Sequence, residues 1–398
     1  MSRLGGRVLI IGGGLIGCAV AWHLARGGAR VVLVEQGELN SGASGQNAGS
    51  LHFQLERRFL ENDTAATEQA ARTAALSAVA IEEWRALESE LGADLGVHMH
   101  GGLMVAETNE HATLLELKVR CERAAGMASQ VLPGDAARKL CGALSTNVIS
   151  AAYLPDEGHA DPRLVTLAFA RAAVAAGAEI HSWTRVVTLS NSLSAGISAT
   201  LEHDGEQRSE HFDQLVIAAG AWSAQVGALL NVHLPLVAVP LQLHATERAP
   251  PLLDHLIQHV GQRLSMKQTH AGNILIGGGW ASRLAQQDGH FDLAQRPSLR
   301  FDSLQGNLEV ACSIVPAVAQ LSLLRAWTGA TAVSTDQLPL AGEIRCSPGC
   351  YIAAGGSAFT LGPTLARLLS ECLGGKPSEL LELTSPSRFD HLNRFMGP

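Results

Sequence analysis

Val8-Leu9-Ile10-Ile11-Gly12-Gly13-Gly14-Leu15-Ile16-Gly17 is the stretch whose reading decides the fold. Its first four residues form a short apolar run, the pattern of a strand buried on both faces, and the next six read G-x-G-x-x-G. From Leu15 to Arg26 the apolar positions Ile16, Val20 and Leu24 recur at helical spacing, and Gly27-Gly28 stops the helix. A second apolar run, Val31-Val32-Leu33-Val34, ends at Glu35-Gln36. Strand, glycine turn, helix and strand in this order make a dinucleotide-binding unit. Gly12 permits the tight turn, Gly14 lets backbone N–H groups approach a pyrophosphate at the helix N-terminus, and Gly17 allows the helix to pack closely on the strand. Glycine-rich turns also occur by chance, so the motif gains its specificity from its frame. Glu35 stands where a carboxylate binds a ribose 2′-hydroxyl, and an acid there disfavours a 2′-phosphate, which leaves NAD or FAD rather than NADP.

Composition sets the outer bounds. At 398 residues, 46% apolar and 17% charged, the chain can bury a large core, and its length corresponds to two or three folding units of roughly 150 residues. The net charge of −8 and the absence of any Lys/Arg run argue against a nucleic-acid partner. Seven scattered cysteines do not form a disulfide framework, so a reducing cytoplasm is expected, with peripheral contact at the inner membrane left open. Residues 8–25 are apolar enough to imitate a membrane span, but glycines interrupt them, and no later run supplies about 18 to 20 apolar residues.

Three distant segments repeat the glycine-rich theme: Gly42-Ala43-Ser44-Gly45-Gln46-Asn47-Ala48-Gly49-Ser50-Leu51, then Leu215-Val216-Ile217-Ala218-Ala219-Gly220-Ala221-Trp222, then Gly355-Gly356-Ser357-Ala358-Phe359-Thr360-Leu361. Each alone reads as a plain loop. Together and in this order they resemble the flavin sites of the D-amino-acid oxidase superfamily, FAD-dependent enzymes that oxidise C–N bonds. By that resemblance residues 44–51 form the second flavin loop, Ala219, Gly220 and Trp222 end the strand that returns to the nucleotide, and Val186 contacts adenine through its backbone. The backbone of residues 357–361 faces the flavin pyrimidine edge, where N–H groups at a helix start stabilise the anionic reduced ring.

The strings SGASGQNAGSLHFQL (41–55), MKQTHAGNILIGGGW (266–280) and GGSAFTLGP (355–363) are most similar to the β subunits of heteromeric opine (octopine/nopaline) oxidases or dehydrogenases and hydroxyproline dehydrogenase-type complexes. Glycine oxidase and the sarcosine oxidase β subunit are more remote. The resemblance implies non-covalent FAD in this chain, which carries no recognised attachment motif. It also implies partner subunits with further redox centres, FMN at an interface or an iron–sulfur cluster, which take the electrons away. The expected fold is α/β, a Rossmann-like FAD-binding domain with a discontinuous antiparallel-sheet substrate domain. The flavin segments place the FAD domain at residues 1–90, 150–235 and 325–398, and the substrate domain at 91–149 and 236–324. Residues 63–91 read as one helix with Ile81, Trp84, Leu87 and Leu91 on one face and a solvated charged face; 179–189 reads as one strand, and 241–246 and 274–279 as strands of the substrate sheet.

Flavin amine oxidation moves a hydride equivalent from a Cα–H beside a neutral nitrogen, so the protein supplies position, dryness and carboxylate recognition rather than a strong base. Relatives hold the substrate carboxylate with an Arg in W-x-G-x-R-P, but here Trp327-Thr328-Gly329-Ala330-Thr331 puts Thr331 at that place, and Thr cannot bind bidentately. Arg325 stands just upstream, as substitute or as structure. The Lys with which some oxidase relatives activate O₂ aligns near Leu275, which favours a dehydrogenase. Candidates for catalytic or substrate contact are His52, His244 and Lys267, with Gln268 and Trp280 beside them. The blander roles are a backbone-bonded His52, a structural His244, a solvated edge Lys267 and a core Trp280. His98-x-His100 and Cys346-x-x-x-Cys350 each offer two ligands, and no metal is expected. The expected reaction is oxidation of the C–N bond of a secondary amino acid, an opine or imino acid, to an imine that hydrolyses. A stand-alone oxidase using O₂, an NAD-dependent dehydrogenase and a flavin-bearing electron-relay subunit are the competing readings.

Overall fold

The structure, a computed structural model, describes residues 5–60, 71–192 and 196–396. Its first sheet has six strands in the order Leu340–Glu343, Cys350–Ala354, Gln214–Ile217, Arg7–Ile11, Arg30–Val34 and Glu179–His181. All neighbours run parallel except the first pair. The unbroken apolar run at residues 8–11 follows from its central place. Val8 and Ile10 face a layer of helices that includes Leu15–Arg26, Pro162–Ala175 and Gly362–Leu373. Leu9 and Ile11 face a three-stranded antiparallel meander, Thr184–Ser192, Gly196–His203 and Glu206–Phe212. With both faces covered, each of these side chains contributes about 1.5–3 kcal/mol of apolar burial.

The second sheet has eight strands in the order Leu323–Ser334, Leu236–Arg248, Asn273–Gly277, Ser265–Gln268, Leu256–His259, Gly102–Ala106, Ser150–Leu154 and Gln130–Pro133. One pair, Leu256–His259 with Gly102–Ala106, is parallel and the rest are antiparallel. Helix Phe301–Ile314 covers one face, its Ala311 and Ile314 packing on Met266, Ile274 and Ile276.

Several expected boundaries shift. Strands Ser150–Leu154 and Leu323–Ser334 belong to the second sheet, so the domain edge expected at 150 leaves a whole strand of that sheet, and the edge expected at 325 most of another, on the FAD side. The single strand expected over 179–189 is two strands. Trp183, at φ 56°, turns the chain out of the parallel sheet and into the meander, with its N–H on the Gly37 carbonyl. The expected strand 241–246 extends to Leu236–Arg248, and 274–279 ends at Gly277 because Gly278 and Gly279 turn at φ 118° and 87°. Of the helix expected over 63–91, residues 61–70 lie outside the described residues, and Ala74–Leu91 is helical with Ile81, Trp84 and Leu87 buried. Its charged face is not merely solvated: Glu83 binds Thr364 and Arg367, and Glu88 accepts from the N–H groups of Leu95 and Val97. Among the described residues no helix is long and apolar enough to cross a membrane.

Candidate active site

The first βαβ unit opens into a cleft at the carboxyl ends of the parallel strands. A Cβ on Gly17 would lie 2.0 Å from the Gly12 carbonyl oxygen, and one on Gly12, at φ 117°, would lie 2.4 Å from the Ala218 oxygen. The glycines therefore set how closely helix and strands approach. Gly14 begins helix Leu15–Arg26 without a side-chain cap, so the positive end of the helix is left to the cleft. The Ser44 hydroxyl accepts from the Leu15 N–H at 3.0 Å and keeps its own proton for an anion there. Glu35 is fixed by the N–H groups of Gly13, at 2.8 Å, and Gly37, at 2.9 Å, with lone pairs left for ribose hydroxyls.

Gly12, Gly14, Leu15, Ile16, Glu35, Gln36, Ser44, Val186, Ala219, Gly220, Trp222, Gly355 and Ala358 all line this cleft. Gly17 lies behind it, in the packing contact. Thr331 lines it too, between Ala330 and Ala332. The second loop carries on past the cleft as Gly45, Gln46, Asn47, Ala48 and Gly49. Asn47 pins it, its amide donating to the Ala43 and Ser44 carbonyls and its oxygen accepting from the Gly49 N–H. Ser50-Leu51 then pairs with Gly158-His159.

The third segment is held from below. Trp84 Nε1 donates to the Thr360 carbonyl at 2.7 Å, and its ring meets Phe359 at 5.5 Å. Leu361 is buried, and Arg58 crosses beneath Gly356 to donate to the Ser357 hydroxyl and to Glu56. Ser357, at φ 57°, in turn donates to Glu56. Burial works against ionisation of Glu56, but the Arg58 guanidinium and the Ser357 hydroxyl outweigh it and hold the carboxyl below its usual range. Glu56 and Arg58 escaped the sequence reading. They lie 300 positions from the segment they brace, and no spacing rule links them to it.

Sheet register shows which side chains of the second sheet meet the second loop. Trp327 pairs with Leu243, and Gly277 with Ser265, with Leu243 and Gly277 adjacent between them. Both ends of this row are tied to the loop: Trp327 Nε1 donates to the Gln46 carbonyl at 2.8 Å, and Ser265 Oγ bonds His52 Nε2 at 3.0 Å. The next row on the same face, two residues along each strand, is Arg325, Ala245, Leu275 and Lys267.

His52 and Lys267 are thus brought together. His52 donates its N–H to the Thr360 hydroxyl, and its buried Nδ1 has no partner among the described residues. Burial takes its imidazole down to about 4, so the ring is neutral at pH 7. Lys267 is 3% exposed and is no solvated edge residue; burial brings its ammonium down to about 7, against the weaker pull of Asp161. It lies directly across from Leu275, on the face whose Trp327 and Ser265 reach the second loop, so that face does carry a cation, one strand removed from the expected alignment.

His244 is a correction. It stands one residue out of phase, on the opposite face, fully buried, with Nδ1 on Asn307 Oδ1 at 3.1 Å and Nε2 on the Gln242 amide at 3.3 Å. It ties helix Phe301–Ile314 to the sheet, which is a structural role. Gln268 is likewise structural, accepting from the N–H groups of Leu252 and Leu253 and donating to the Ala249, Pro250 and Gly272 carbonyls. Trp280 packs on Gly306 and donates to the Arg263 carbonyl. The ring centroids of His98 and His100 lie 5.9 Å apart, and among the described residues no group of three or more His, Cys, Asp or Glu is placed to hold a metal. Cys346 is an exposed thiol and Cys350 a buried one.

Residues 7–372 match the family described as FAD dependent oxidoreductase, DAO. Glycine oxidase of Geobacillus kaustophilus is 29% identical over 87% of each chain, and an opine oxidase subunit of Rhizobium meliloti is 26% identical over 96% of this chain and 97% of its own. Human mitochondrial dimethylglycine dehydrogenase is 26% identical over 96% of this chain, which spans only 44% of that longer protein. Among solved structures, the G. kaustophilus glycine oxidase superposes with a TM-score of 0.80 at 27% identity, covering 94% of this chain and 96% of its own. L-proline dehydrogenase of P. horikoshii shares the fold, with a TM-score of 0.84 at 22% identity, covering 97% and 98%. With the family match running through the nucleotide cleft, the second loop and the segment braced by Arg58, the chain belongs to the DAO family of FAD-dependent oxidoreductases.

Proposed function

We propose that this chain oxidises the Cα–N bond of a secondary amino acid, an opine or imino acid, to an imine that water then hydrolyses, and does so as the FAD-bearing subunit of a heteromeric dehydrogenase. The observation that carries this reading is the floor under the second flavin loop: Leu243, Ala245, Leu275 and Gly277, small or apolar, with a buried lysine at the rim. Such a floor takes a Cα–H and its alkyl groups out of water, and the lysine holds a carboxylate. The likeness to the R. meliloti opine oxidase subunit over nearly its whole length supports the heteromeric setting.

The residues present fit FAD. The uncapped helix start and Ser44 suit the pyrophosphate, and a Cβ at Gly14 would lie 2.9 Å from the Ser44 hydroxyl, within the space the phosphates need. Glu35 suits the ribose, and the residues 357–361 backbone the pyrimidine edge. When bound, FAD supplies the hydride acceptor. The protein's part is position. Lys267 binds and orients the substrate carboxylate. His52, neutral and anchored by Ser265, offers Nδ1 to the substrate or cofactor as a hydrogen-bonding group without adding charge. Trp327, fixed on the Gln46 carbonyl, closes the side of the floor and excludes water.

The test is the visible spectrum of the purified chain, recorded anaerobically before and after adding octopine, nopaline, proline, hydroxyproline or sarcosine. Bleaching at about 450 nm, where oxidised flavin absorbs, is expected. A bound flavin that none of these bleaches overturns the reading in favour of an electron-relay role, and no bound flavin overturns it altogether. A partner carrying FMN or an iron–sulfur centre is expected to reoxidise the flavin faster than O₂. Lys267, a cation on the flavin-facing side, favours as second reading a stand-alone oxidase, in which O₂ alone returns the spectrum within the turnover time.

A further inference from the structure

We infer that Lys267 takes the proton that the substrate's ammonium must lose before hydride can leave its Cα, and that His159, His98, His100 and His270 carry this proton from the dry floor to solvent. The inference rests on the amine-oxidising reading above and adds to it the step by which the nitrogen becomes neutral.

The path begins beside the second flavin loop. There Ser50 pairs with His159 and Leu51 with Gly158, and His52, which follows on the Ser50 side of the ribbon, is bonded to Ser265, two residues before Lys267. This brings His159 in beside Lys267, and of the charges that act on the His159 ring that of Lys267 is the largest. His98 and His159 exchange backbone N–H···O bonds at 2.8 and 2.9 Å, and a Cβ on Gly158 would lie 1.9 Å from the His98 carbonyl oxygen, so the two segments meet as closely as a glycine permits. The His98 ring is the junction. Its centroid lies 5.2 Å from that of His159, 5.8 Å from that of His270, which it stacks on, and 5.9 Å from that of His100. One hydrogen bond or one bridging water spans such a spacing. His159 and His98 are half-buried while His100 and His270 are exposed, so the path leads from the floor to the surface and forks at its outer end.

Among the described residues Lys267 makes no hydrogen bond or ion pair although it is 3% exposed. The other charged groups on its sides are Asp161, occupied by Arg163 through two guanidinium bonds at 2.9 and 2.6 Å, the Glu56 and Arg58 pair beyond His52, and Arg325 at the far end of its row. With burial holding its ammonium down to about 7, Lys267 is about half free amine at pH 7. An amino acid arrives with a carboxylate and an ammonium. The substrate N–H bond breaks toward Lys267 Nζ, which becomes the ammonium that pairs with the carboxylate, and that pairing tightens its hold on the proton. The neutral nitrogen then gives up the Cα hydride to the bound acceptor and is left as an iminium. One ammonium has become one iminium, one hydride and one proton, and the proton must leave Lys267 before the next substrate. Passing it from an ammonium at about 7 to His159 at about 3 costs a factor of about 10⁴, which from a ceiling of about 6 × 10¹² s⁻¹ leaves the step far faster than the usual enzyme turnover of about 1–10³ s⁻¹.

The probes are methoxyacetate, a carboxylate without an amine, and 2-aminoisobutyrate, which has both groups but no Cα–H. Each is mixed at pH 8 with the FAD-loaded protein in weak buffer, with binding read from the shift of the flavin visible band and proton uptake from a pH indicator. Methoxyacetate is expected to draw at least about half a proton per molecule bound, as Lys267 becomes charged, and 2-aminoisobutyrate about none, because its own ammonium supplies the proton. Lys267→Arg, always charged, should bind methoxyacetate with no proton uptake. His98→Phe keeps the ring contacts and removes the nitrogens at the junction; it should slow the uptake driven by methoxyacetate at least about tenfold while leaving the Kd within about twofold. Added imidazole should restore the rate, which it would not do for a misfolded variant. Methoxyacetate bound without proton uptake, equal uptake with both probes, or an uptake rate unmoved by His98→Phe overturns the inference. Because neither probe offers a Cα–H beside an amine, the result is independent of catalysis: the expected uptake in a protein whose flavin no amine bleaches would sink the proposed function and leave the proton path standing.

Discussion

Replacing Lys118 by methionine should destabilise the folded protein by about 3–5 kcal/mol, the usual cost of orphaning one member of a buried ion pair. Lys118 and Glu122 are both fully buried, with Nζ 2.7 Å from Glu122 Oε1 and 2.6 Å from the Gln54 side-chain oxygen. Glu122 Oε1 also accepts the Leu55 N–H at 2.6 Å, and Gln54 continues the network to the buried Glu157 through its backbone N–H and its amide. Methionine fills the volume of the lysine stem but removes the charge that balances Glu122, whose second oxygen already lacks a partner among the described residues. A loss of 3 kcal/mol is a factor of about 150 in the folded-to-unfolded ratio. Residues 54–55 follow closely on His52, so the damage should also reach the flavin loop. The assay is urea unfolding of the FAD-loaded protein followed by tryptophan fluorescence, with flavin release recorded in parallel. Lys118→Met/Glu122→Gln, which removes both charges and keeps an acceptor for Leu55, should recover to within about 2 kcal/mol of the original protein. A single-variant loss under about 1 kcal/mol, or no recovery in the double variant, would refute the reasoning, because it would mean that water already reaches the network.

Other predictions follow from neighbouring features. Burial lifts Glu157 from about 4.5 in the unfolded chain to about 7, only partly opposed by Gln54; a raised carboxyl means that the folded state holds the extra proton, so stability falls as pH rises through that window. Glu157→Gln should flatten the change in urea midpoint between pH 5 and 8 by the equivalent of about 1–3 kcal/mol, and an unaltered slope would exclude Glu157 as its source. Gly17→Ala puts a Cβ 2.0 Å from the Gly12 carbonyl, so it should cut flavin content per chain at least about tenfold; full occupancy would show that helix and strand can part there at no cost. His244→Gln should lower the unfolding midpoint by about 1–3 kcal/mol while leaving KM for the substrate within about twofold, and a large KM change would return His244 to the active site.

The nucleotide half was legible because its signals are local. A strand buried on both faces must be apolar at every position, a pyrophosphate needs glycines at fixed offsets, and an acid must end the second strand; Val8 to Glu35 meets all three within one short stretch. Segments 42–51, 215–222 and 355–361 could be placed by resemblance, and the cleft gathers residues from each of them. The bracing of the third segment by Glu56 and Arg58 had no such signal, since the bonds that define it join positions 300 apart.

The substrate side was decided by tertiary structure. Alternation along a strand states that odd and even residues face opposite ways but not which way the flavin lies. Here polarity points the wrong way: His244, Gln242 and Thr246 are polar yet buried, His244 on Asn307 of the covering helix and Gln242 on the Arg300 carbonyl just ahead of it, while Leu243, Ala245 and Leu275 are apolar and look toward the flavin loop. Only pairing register, fixed at both ends of one row by Trp327 on Gln46 and Ser265 on His52, turns Lys267 inward and His244 away. The sequence by itself thus determined a dinucleotide-binding α/β chain with its glycine cradle, because those constraints act within a few residues. Which side chains meet a substrate is set by contacts that join positions from 8 to 281 apart, and that choice exists only in the folded sheet.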